Sequence, residues 1–514
     1  MNGAESLVRT LVAGGVDTCF ANPGTSEMHF VAALDRVEGM RCVLVLFEGV
    51  ATAAAAGYAR MTDRPAATLL HLGPGLANGL ANMHNALKGS MPMLNIVGDH
   101  ATYHRKYNSP LTSDIEGAAK PFSTWVRTSP DAKSVAADGA AAIAAARTPP
   151  GQVVTLILPA DTAWNEAKGP AAPVAPPDRA RVSQDAIREA ARAIRSGEPS
   201  MILLGAIGLR KRSLELAGRI RAKTGARIMA EAFVARMDRG AGCVPVERLP
   251  YAVDEARATL ADLKSLILVG SRVPVAFFAY PGKPSLLAGD GTEVLTLARP
   301  EDDGMDALER LADELDALSA PSGAATLELP LLATGAVTGQ ALSQSVAALI
   351  PENAIVVDEA ISTGGTFAAS WRSQPHTWLQ NMGGSIGNGM PMAIGAAVAC
   401  PDRPVLNLQA DGSAMYVIQS LWTQAREGLN ITTVIFNNRS YACLKEELAK
   451  VGAVNPGRKA LDMLDLSRPD IDFSGLAKSL GVPAAQVTTM EEFNREVAHG
   501  LASPGPYLVE VLIA

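Results

Sequence analysis

The chain has 514 residues, 48% hydrophobic and 19% charged, which excludes a disordered polymer and leaves room for about three domains at ~100–200 residues each. Its 45 Lys and Arg against 52 Asp and Glu give a net charge of −7, which argues against a nucleic-acid-coating surface. The five cysteines are scattered without a CxxC pair, so neither a disulfide framework nor a zinc site is expected. No apolar run reaches the ~18–20 residues of a membrane span, and Met1 to Thr10 has no signal-like apolar core. The expectation is a cytoplasmic protein with no nucleic-acid and no membrane partner.

Along the chain, short apolar, β-branched runs alternate with Ala-rich helical stretches. Strands are predicted at 42–47, 67–71, 94–97, 153–158, 201–204, 266–269, 355–357, 405–408, 432–436 and 507–512. Near-continuous apolar runs of this length are the pattern of parallel strands buried on both faces. The predicted class is α/β, with three doubly wound parallel-sheet domains. Strand 42–47 delivers Glu48 to an Ala-rich helix, where a carboxylate can simply cap the helix dipole. Strand 67–71 ends in His71, followed by Gly73-Pro74-Gly75 and a helix carrying Asn78, Asn82 and Asn85. A lone strand-end His is usually structural. Residues 168–177 carry four prolines and read as a semi-rigid linker. Residues 319–332 form a second break, after which Thr338 is a candidate N-cap. These breaks divide the chain into 1–167, 178–320 and 333–514. In the middle segment, the Gly turns after strands 201–204 and 266–269 are weak nucleotide signals by themselves.

The third segment carries the most chemistry. Strand 405–408 runs into Ala410-Asp411-Gly412-Ser413, and strand 432–436 ends at Asn437-Asn438. An Asp just past a buried strand can hold a hard cation, and an Asn at a second strand end can add an amide oxygen. Mg²⁺ takes a few such ligands together with diphosphate oxygens. Gly412 frees the backbone, and the N–H groups that follow can cradle a phosphate. Each pair alone is an ordinary turn signal. The two together, each after an apolar strand, favour a cofactor site at the carboxyl ends of parallel strands.

This stretch resembles the thiamine diphosphate motif, which begins GDG and closes with NN, although Ala410 replaces the first Gly. Phe20-Ala21-Asn22-Pro23-Gly24-Thr25, Phe47-Glu48-Gly49 with Gly57-Tyr58-Ala59-Arg60, and His71 to Gly75 resemble the opening domain of the same family. That family is the group of 2-oxo-acid decarboxylases, acetolactate synthases and benzoylformate decarboxylases. The resemblance is strong over the first and third segments and weak between them. It implies a pyrimidine-binding, a middle and a diphosphate-binding domain, with thiamine diphosphate and Mg²⁺ as cofactors.

Under this resemblance Asp411, Asn438 and the Ser440 carbonyl ligate Mg²⁺, and Ser362, Gly412 and Ser413 meet the diphosphate. Ile386 wedges between the cofactor rings and the Gly384 carbonyl accepts from the amino group. Glu48 shares a proton with the aminopyrimidine, a role that burial of the carboxyl assists. The C2 carbanion adds to a 2-oxo acid, CO₂ leaves, and the enamine is protonated or attacks a second carbonyl. His71 is the candidate for proton transfer or substrate binding, with Thr25 and Leu444 also at the substrate. A catalytic His of benzoylformate decarboxylase finds Phe277 or Phe278 in its place. Glu446 and Glu447 read either as a solvated helix face paired with Lys450 or as pocket groups. A homodimer or homotetramer with sites between subunits is implied, acting on a small 2-oxo acid. No functional FAD is expected in the middle domain. The alternatives are an FAD-requiring acetolactate synthase or oxidase relative, and a non-catalytic thiamine diphosphate-binding protein.

Overall fold

A computed structural model describes residues 1–363 and 365–513. Its strands, in chain order, are β1 (Thr18–Asn22), β2 (Arg41–Leu44), β3 (Ala66–Leu70), β4 (Met93–Asp99), β5 (Trp125–Thr128) and β6 (Val153–Pro159). Then follow β7 (Ser200–Leu204), β8 (Arg227–Ala230), β9 (Arg236–Arg239), β10 (Ser265–Val269) and β11 (Glu293–Ala298). The last group is β12 (Ile355–Glu359), β13 (His376–Gln380), β14 (Val405–Ala410), β15 (Ile431–Asn437), β16 (Ala484–Val487) and β17 (Tyr507–Leu512).

They form a six-stranded sheet in the order β2-β1-β3-β4-β6-β5, a four-stranded sheet β11-β10-β7-β8, and a seven-stranded sheet β16-β17-β15-β14-β12-β13-β9. The first two are wholly parallel, as the apolar runs indicate. Central strands β3, β4, β6, β12 and β15 are buried throughout, which is why they read as continuous apolar runs.

The third sheet departs from the all-parallel expectation at one edge. β9, from the middle of the chain, pairs antiparallel with β13. Its sequence Arg236-Met237-Asp238-Arg239 has three charged residues in four, so no strand run was predicted there. Antiparallel edge strands on parallel sheets are common. The pairing fastens the middle segment to the third. Arg60 adds a second fastening. It is 1% exposed and donates to the carbonyls of Ala235 and Gln380, so it touches all three segments. Burial lowers its pKa to about 9.

Helix Glu48–Thr62 is buried from Glu48 to Met61. Helix Gly389–Ala399 is apolar on every side and buried from Gly389 to Val398. The two pack against each other, and small residues set the closeness. A β-carbon at Gly395 would lie 1.8 Å from the Ala54 carbonyl oxygen, and one at Gly57 would lie 2.2 Å from that of Met392. Neither contact tolerates a side chain without backbone movement. Thr338 caps helix Gly339–Leu349, its hydroxyl accepting from the Ala341 N–H at 3.2 Å.

Candidate active site

The sequence-predicted residues gather into two clusters. The first lies at the carboxyl end of the six-stranded sheet. Glu48 is the first residue of its helix and is 6% exposed. Its Oε2 accepts from the Asn78 amide at 2.9 Å. His71 caps helix Leu72–Lys88 through its backbone position. A β-carbon at Gly75 would sit 2.9 Å from Glu48 Oε1 and 3.3 Å from His71 Cβ, so both side chains border the same glycine. Gly24, just before the exposed Thr25, has room only for hydrogen beside the His71 ring.

Glu27 completes this cluster, and no role for it was read from sequence. It is 2% exposed. Its Oε2 lies 2.8 Å from His71 Nδ1 and accepts from the Gly24 N–H at 2.9 Å. Its Oε1 is buried without a partner. Burial raises the Glu27 pKa, and the His71 contact opposes that rise. With the carboxyl ionised, the shared proton sits on Nδ1, which leaves Nε2 as the basic nitrogen. The available signal was an acidic residue two positions past Thr25, but its burial depends on β4. A β-carbon at Gly98 would fall on Glu27 Oε1 at 1.7 Å.

The second cluster lies where β14 and β15 end. Ala410 has φ −79° and ψ 149°. These are ordinary extended angles, so a methyl in place of Gly costs nothing there. Asp411 is 3% exposed. Its Oδ1 accepts from the Gly412 N–H at 2.7 Å, while Oδ2 is buried with no partner. Burial raises its pKa, and the N–H groups around it oppose that rise. A β-carbon at Gly412 would strike the Tyr441 ring at 2.4 Å. Ser413 is buried, accepting from Gln409 and donating to the Ala410 carbonyl.

The two asparagines divide their work. Asn437 donates to the fully buried Glu510 at 2.7 Å, which anchors the strand end. Asn438 is half-buried, its Oδ1 receiving the Ser440 N–H at 3.1 Å. An orphaned carboxylate oxygen with an amide oxygen from the next strand end is a fitting donor set for a hard divalent cation.

The loop between β13 and helix Gly389–Ala399 joins the clusters. Gly384 has φ +78°, and a β-carbon there would be 2.5 Å from the Phe277 ring. Gly387 lies against Tyr416, which places half-buried Ile386 beside the turn that follows Ser413. Asn85 donates to the Ser385 carbonyl at 2.8 Å. Asn82 donates to the carbonyls of Gly49 and Gly387 at 2.9 and 3.3 Å. The asparagines of helix Leu72–Lys88 thus form a ladder from Glu48 to this loop. Among the described residues, no hydrogen bond joins the Glu48 or His71 side chain to the Asp411 cluster of the same chain.

Glu359 sits beneath the loop, 4% exposed. It accepts from the N–H groups of Asn388 and Gly389, at 3.1 and 2.8 Å, and from Gln409 at 2.8 Å. Ser362 is exposed and borders a 740 Å³ cleft that Gly339, Gln340 and Ser343 also line. Its short helical turn, Ile361–Thr363, packs against β14. Leu444 is 46% exposed on helix Ala442–Lys450. Both readings of the neighbouring glutamates meet there. Lys450 pairs with Glu447 at 3.0 Å and Glu446 at 3.9 Å, while Tyr280 also donates to Glu447 at 2.8 Å. The Phe277 ring packs on Phe278 at 4.9 Å and on Phe233 at 5.4 Å.

Residues 1–120 match the model of the thiamine pyrophosphate enzyme N-terminal TPP binding domain. Residues 362–511 match that of the C-terminal TPP binding domain. A Mycobacterium tuberculosis protein called "Putative acetolactate synthase large subunit IlvX" is 53% identical, over 100% of this chain and 99% of its own. The chain belongs to the thiamine diphosphate-dependent enzyme family. Benzoylformate decarboxylase of Pseudomonas aeruginosa is 29% identical over 97% of this chain and 96% of its own. The solved structure of the Rhodococcus jostii thiamine diphosphate-dependent 4-hydroxybenzoylformate decarboxylase superposes with a TM-score of 0.84 at 25% identity, covering 100% of this chain and 99% of that one. No helix among the described residues is long and apolar enough to cross a membrane.

The glycine turns of the middle segment have a packing role. A β-carbon at Gly205 would lie 2.7 Å from the Gly270 carbonyl oxygen, and one at Gly270 would lie 2.4 Å from that of Gly205. The ends of β7 and β10 therefore meet backbone to backbone. Glu231, past β8, faces the same turn, and a β-carbon at Gly205 would be 2.9 Å from its Oε1. Burial pushes the Glu231 pKa up to about 8. An unfolded Glu titrates near ~4.3. Between these values the folded chain holds a proton that the unfolded chain has lost. The stability contribution of this group is therefore full below about pH 4 and is lost as pH rises through about 8. Urea midpoints of the wild type should fall more between pH 5 and pH 8 than those of Glu231→Gln, and equal falls would remove the assignment.

Proposed function

We propose that this protein is a thiamine diphosphate- and Mg²⁺-dependent enzyme acting on a small 2-oxo acid. The reaction is decarboxylation, with the product released as an aldehyde or passed to a second carbonyl in an acetolactate-synthase-like carboligation. The observation that carries the reading is Asp411, a buried carboxylate with one oxygen unpartnered at the end of β14. A charge in that position is costly unless a cation or a donor meets it.

Mg²⁺ is held by the side chains of Asp411 and Asn438 and by the Ser440 carbonyl. The diphosphate lies against Ser362, Gly412 and Ser413, where backbone N–H groups open a turn. Gly384 and Ile386 hold the ring end of the cofactor. Bound thiamine diphosphate supplies the carbon nucleophile and the electron sink for the bond that releases CO₂. Glu48 holds a proton at the aminopyrimidine, and Asn78 fixes the carboxyl by bonding its second oxygen. His71 moves the substrate-side proton through Nε2, with Glu27 fixing its tautomer. Thr25 and Leu444 border the substrate. Phe277, which lies against Gly384, contributes an apolar wall and no proton relay. A homodimer or homotetramer with sites between subunits is part of the same proposal.

A screen of 2-oxo acids, with and without aldehyde acceptors, should reveal CO₂ release and identify the product. Glu48→Gln should lose turnover on every acid that the wild type accepts; unchanged activity would defeat its assignment.

His71→Ala should lower kcat by about 10²–10⁴-fold, the usual range for a general acid–base group. Glu27→Gln should produce a smaller loss with a displaced limb of the pH–rate profile. A Glu27 variant that changes only thermal stability would reduce that residue to a structural role.

Asp411→Ala should abolish Mg²⁺-dependent cofactor retention. In the wild type, ligand at a hundred times Kd stabilises the fold by about 2.7 kcal/mol, so cofactor with Mg²⁺ should raise the wild-type Tm and leave that of the variant unmoved.

A further inference from the structure

Cys19 and Cys42 stand directly opposite each other in the parallel pair β1–β2. Neighbouring strands run ~4.7–4.9 Å apart, within the ~4.4–6.8 Å Cα separation that a disulfide spans. Both thiols are free. Their exposure differs sharply. Cys19 is 0% exposed, in the core that contains Phe30, Ala33 and Leu69. Cys42 is exposed on β2, the edge strand of its sheet. An oxidant arriving from solvent therefore meets Cys42 first and finds a second thiol directly behind it. That is the arrangement of a reacting cysteine with its resolving partner.

We propose that Cys19 and Cys42 form a peroxide-responsive thiol–disulfide pair, in which Cys42 reacts with a hydroperoxide and Cys19 resolves the product. The Cys42 sulfur attacks the terminal peroxide oxygen and the O–O bond breaks. For hydrogen peroxide the leaving hydroxide takes up the thiol proton as water, and Cys42 becomes a sulfenic acid. The Cys19 sulfur then attacks the Cys42 sulfur, the S–O bond breaks, and a second water leaves with the Cys19 proton. Two thiols are oxidised by two electrons in all, and one peroxide is reduced to two waters. The neighbouring Cys19 thiol lowers the Cys42 pKa and so favours its reactive thiolate. The Cys42 thiol beside it and burial hold the Cys19 pKa well above the usual thiol range. The bond would tie β1, which leads to Thr25 and Glu27, to β2, which leads to Glu48.

The test is peroxide treatment of the purified full-length protein. Free thiols are then blocked with iodoacetamide under denaturing, non-reducing conditions, and the peptides are analysed by mass spectrometry. The expected product is a Cys19–Cys42 cross-link within one chain, two hydrogens lighter than the separate peptides and reversed by dithiothreitol. Cys19→Ala should lose the cross-link and leave a Cys42 sulfenic acid that dimedone traps. Cys42→Ser should leave Cys19 alkylatable after the same treatment. Three results would overturn the proposal: a Cys42 sulfinic acid with Cys19 still free, Cys42 bridges between two chains, or Cys19 oxidised in Cys42→Ser. The wild-type cross-link decides the question even if a variant folds poorly.

Discussion

Helices Glu48–Thr62 and Gly389–Ala399 meet backbone to backbone, and that contact positions Glu48 and the loop carrying Gly384 and Ile386. Each helix begins at the chemistry. The first opens on Glu48. The second opens just after the loop carrying Gly384 and Ile386, and its first N–H groups are held by Glu359. Gly57 and Gly395 allow each helix to approach a carbonyl of the other. A bulkier pair would separate the axes and move both helix starts. The Ala and Gly content of the chain is therefore concentrated where two domains must be held at a fixed short distance. The asparagine ladder follows from the same approach, because Asn82 can reach the carbonyls of Gly49 and Gly387 together only when the helices are this close.

Backbone strain lies beside the same residues. Leu72, Ile361 and Arg439 have φ of +48°, +49° and +53°. Each is next to a proposed site residue: His71, Ser362 and Asn438. A left-handed conformation costs a non-glycine residue about 1–3 kcal/mol, and such costs tend to collect at functional sites. For a β-branched side chain such as Ile361 it is a genuine outlier. Three strand ends therefore turn sharply with ordinary residues in place of Gly. Arg439 turns the chain just past the two asparagines, of which Asn437 is bonded into the sheet through Glu510 and Asn438 stands at the proposed site.

Much of this could be read from sequence because the signal was local. Continuous apolar runs marked the central strands, and the strand ends bearing Asp411, Asn438 and Glu48 followed from them. Several strands without that signature were not predicted: β9 is mostly charged, and β16 and β11 lie at sheet edges with little apolar continuity. The predicted strand 42–47 is shorter in the structure, where β2 ends at Leu44. Glu27 was missed for a different reason. Its neighbours in sequence are ordinary turn residues, and its burial is supplied by Gly98, more than seventy positions away. A contact made by a missing side chain leaves no pattern in the sequence around the residue that fills the space.

The buried carboxylates show how the fold separates structure from chemistry. Glu359 and Glu510 are as buried as Asp411, and burial raises the Glu359 pKa as it does that of Asp411. Glu359 is surrounded by backbone N–H groups and the Gln409 amide. Glu510 receives Asn437, Ser474 and Gln486. Both are satisfied internally, since a buried polar group without partners costs about 1–3 kcal/mol, and more when charged. Asp411 retains an oxygen with no internal donor. Glu27 Oε1 is likewise buried without a partner. Both carboxylates with an open oxygen belong to the proposed site, whereas Glu359 and Glu510 spend their oxygens on the strand ends and loop around them.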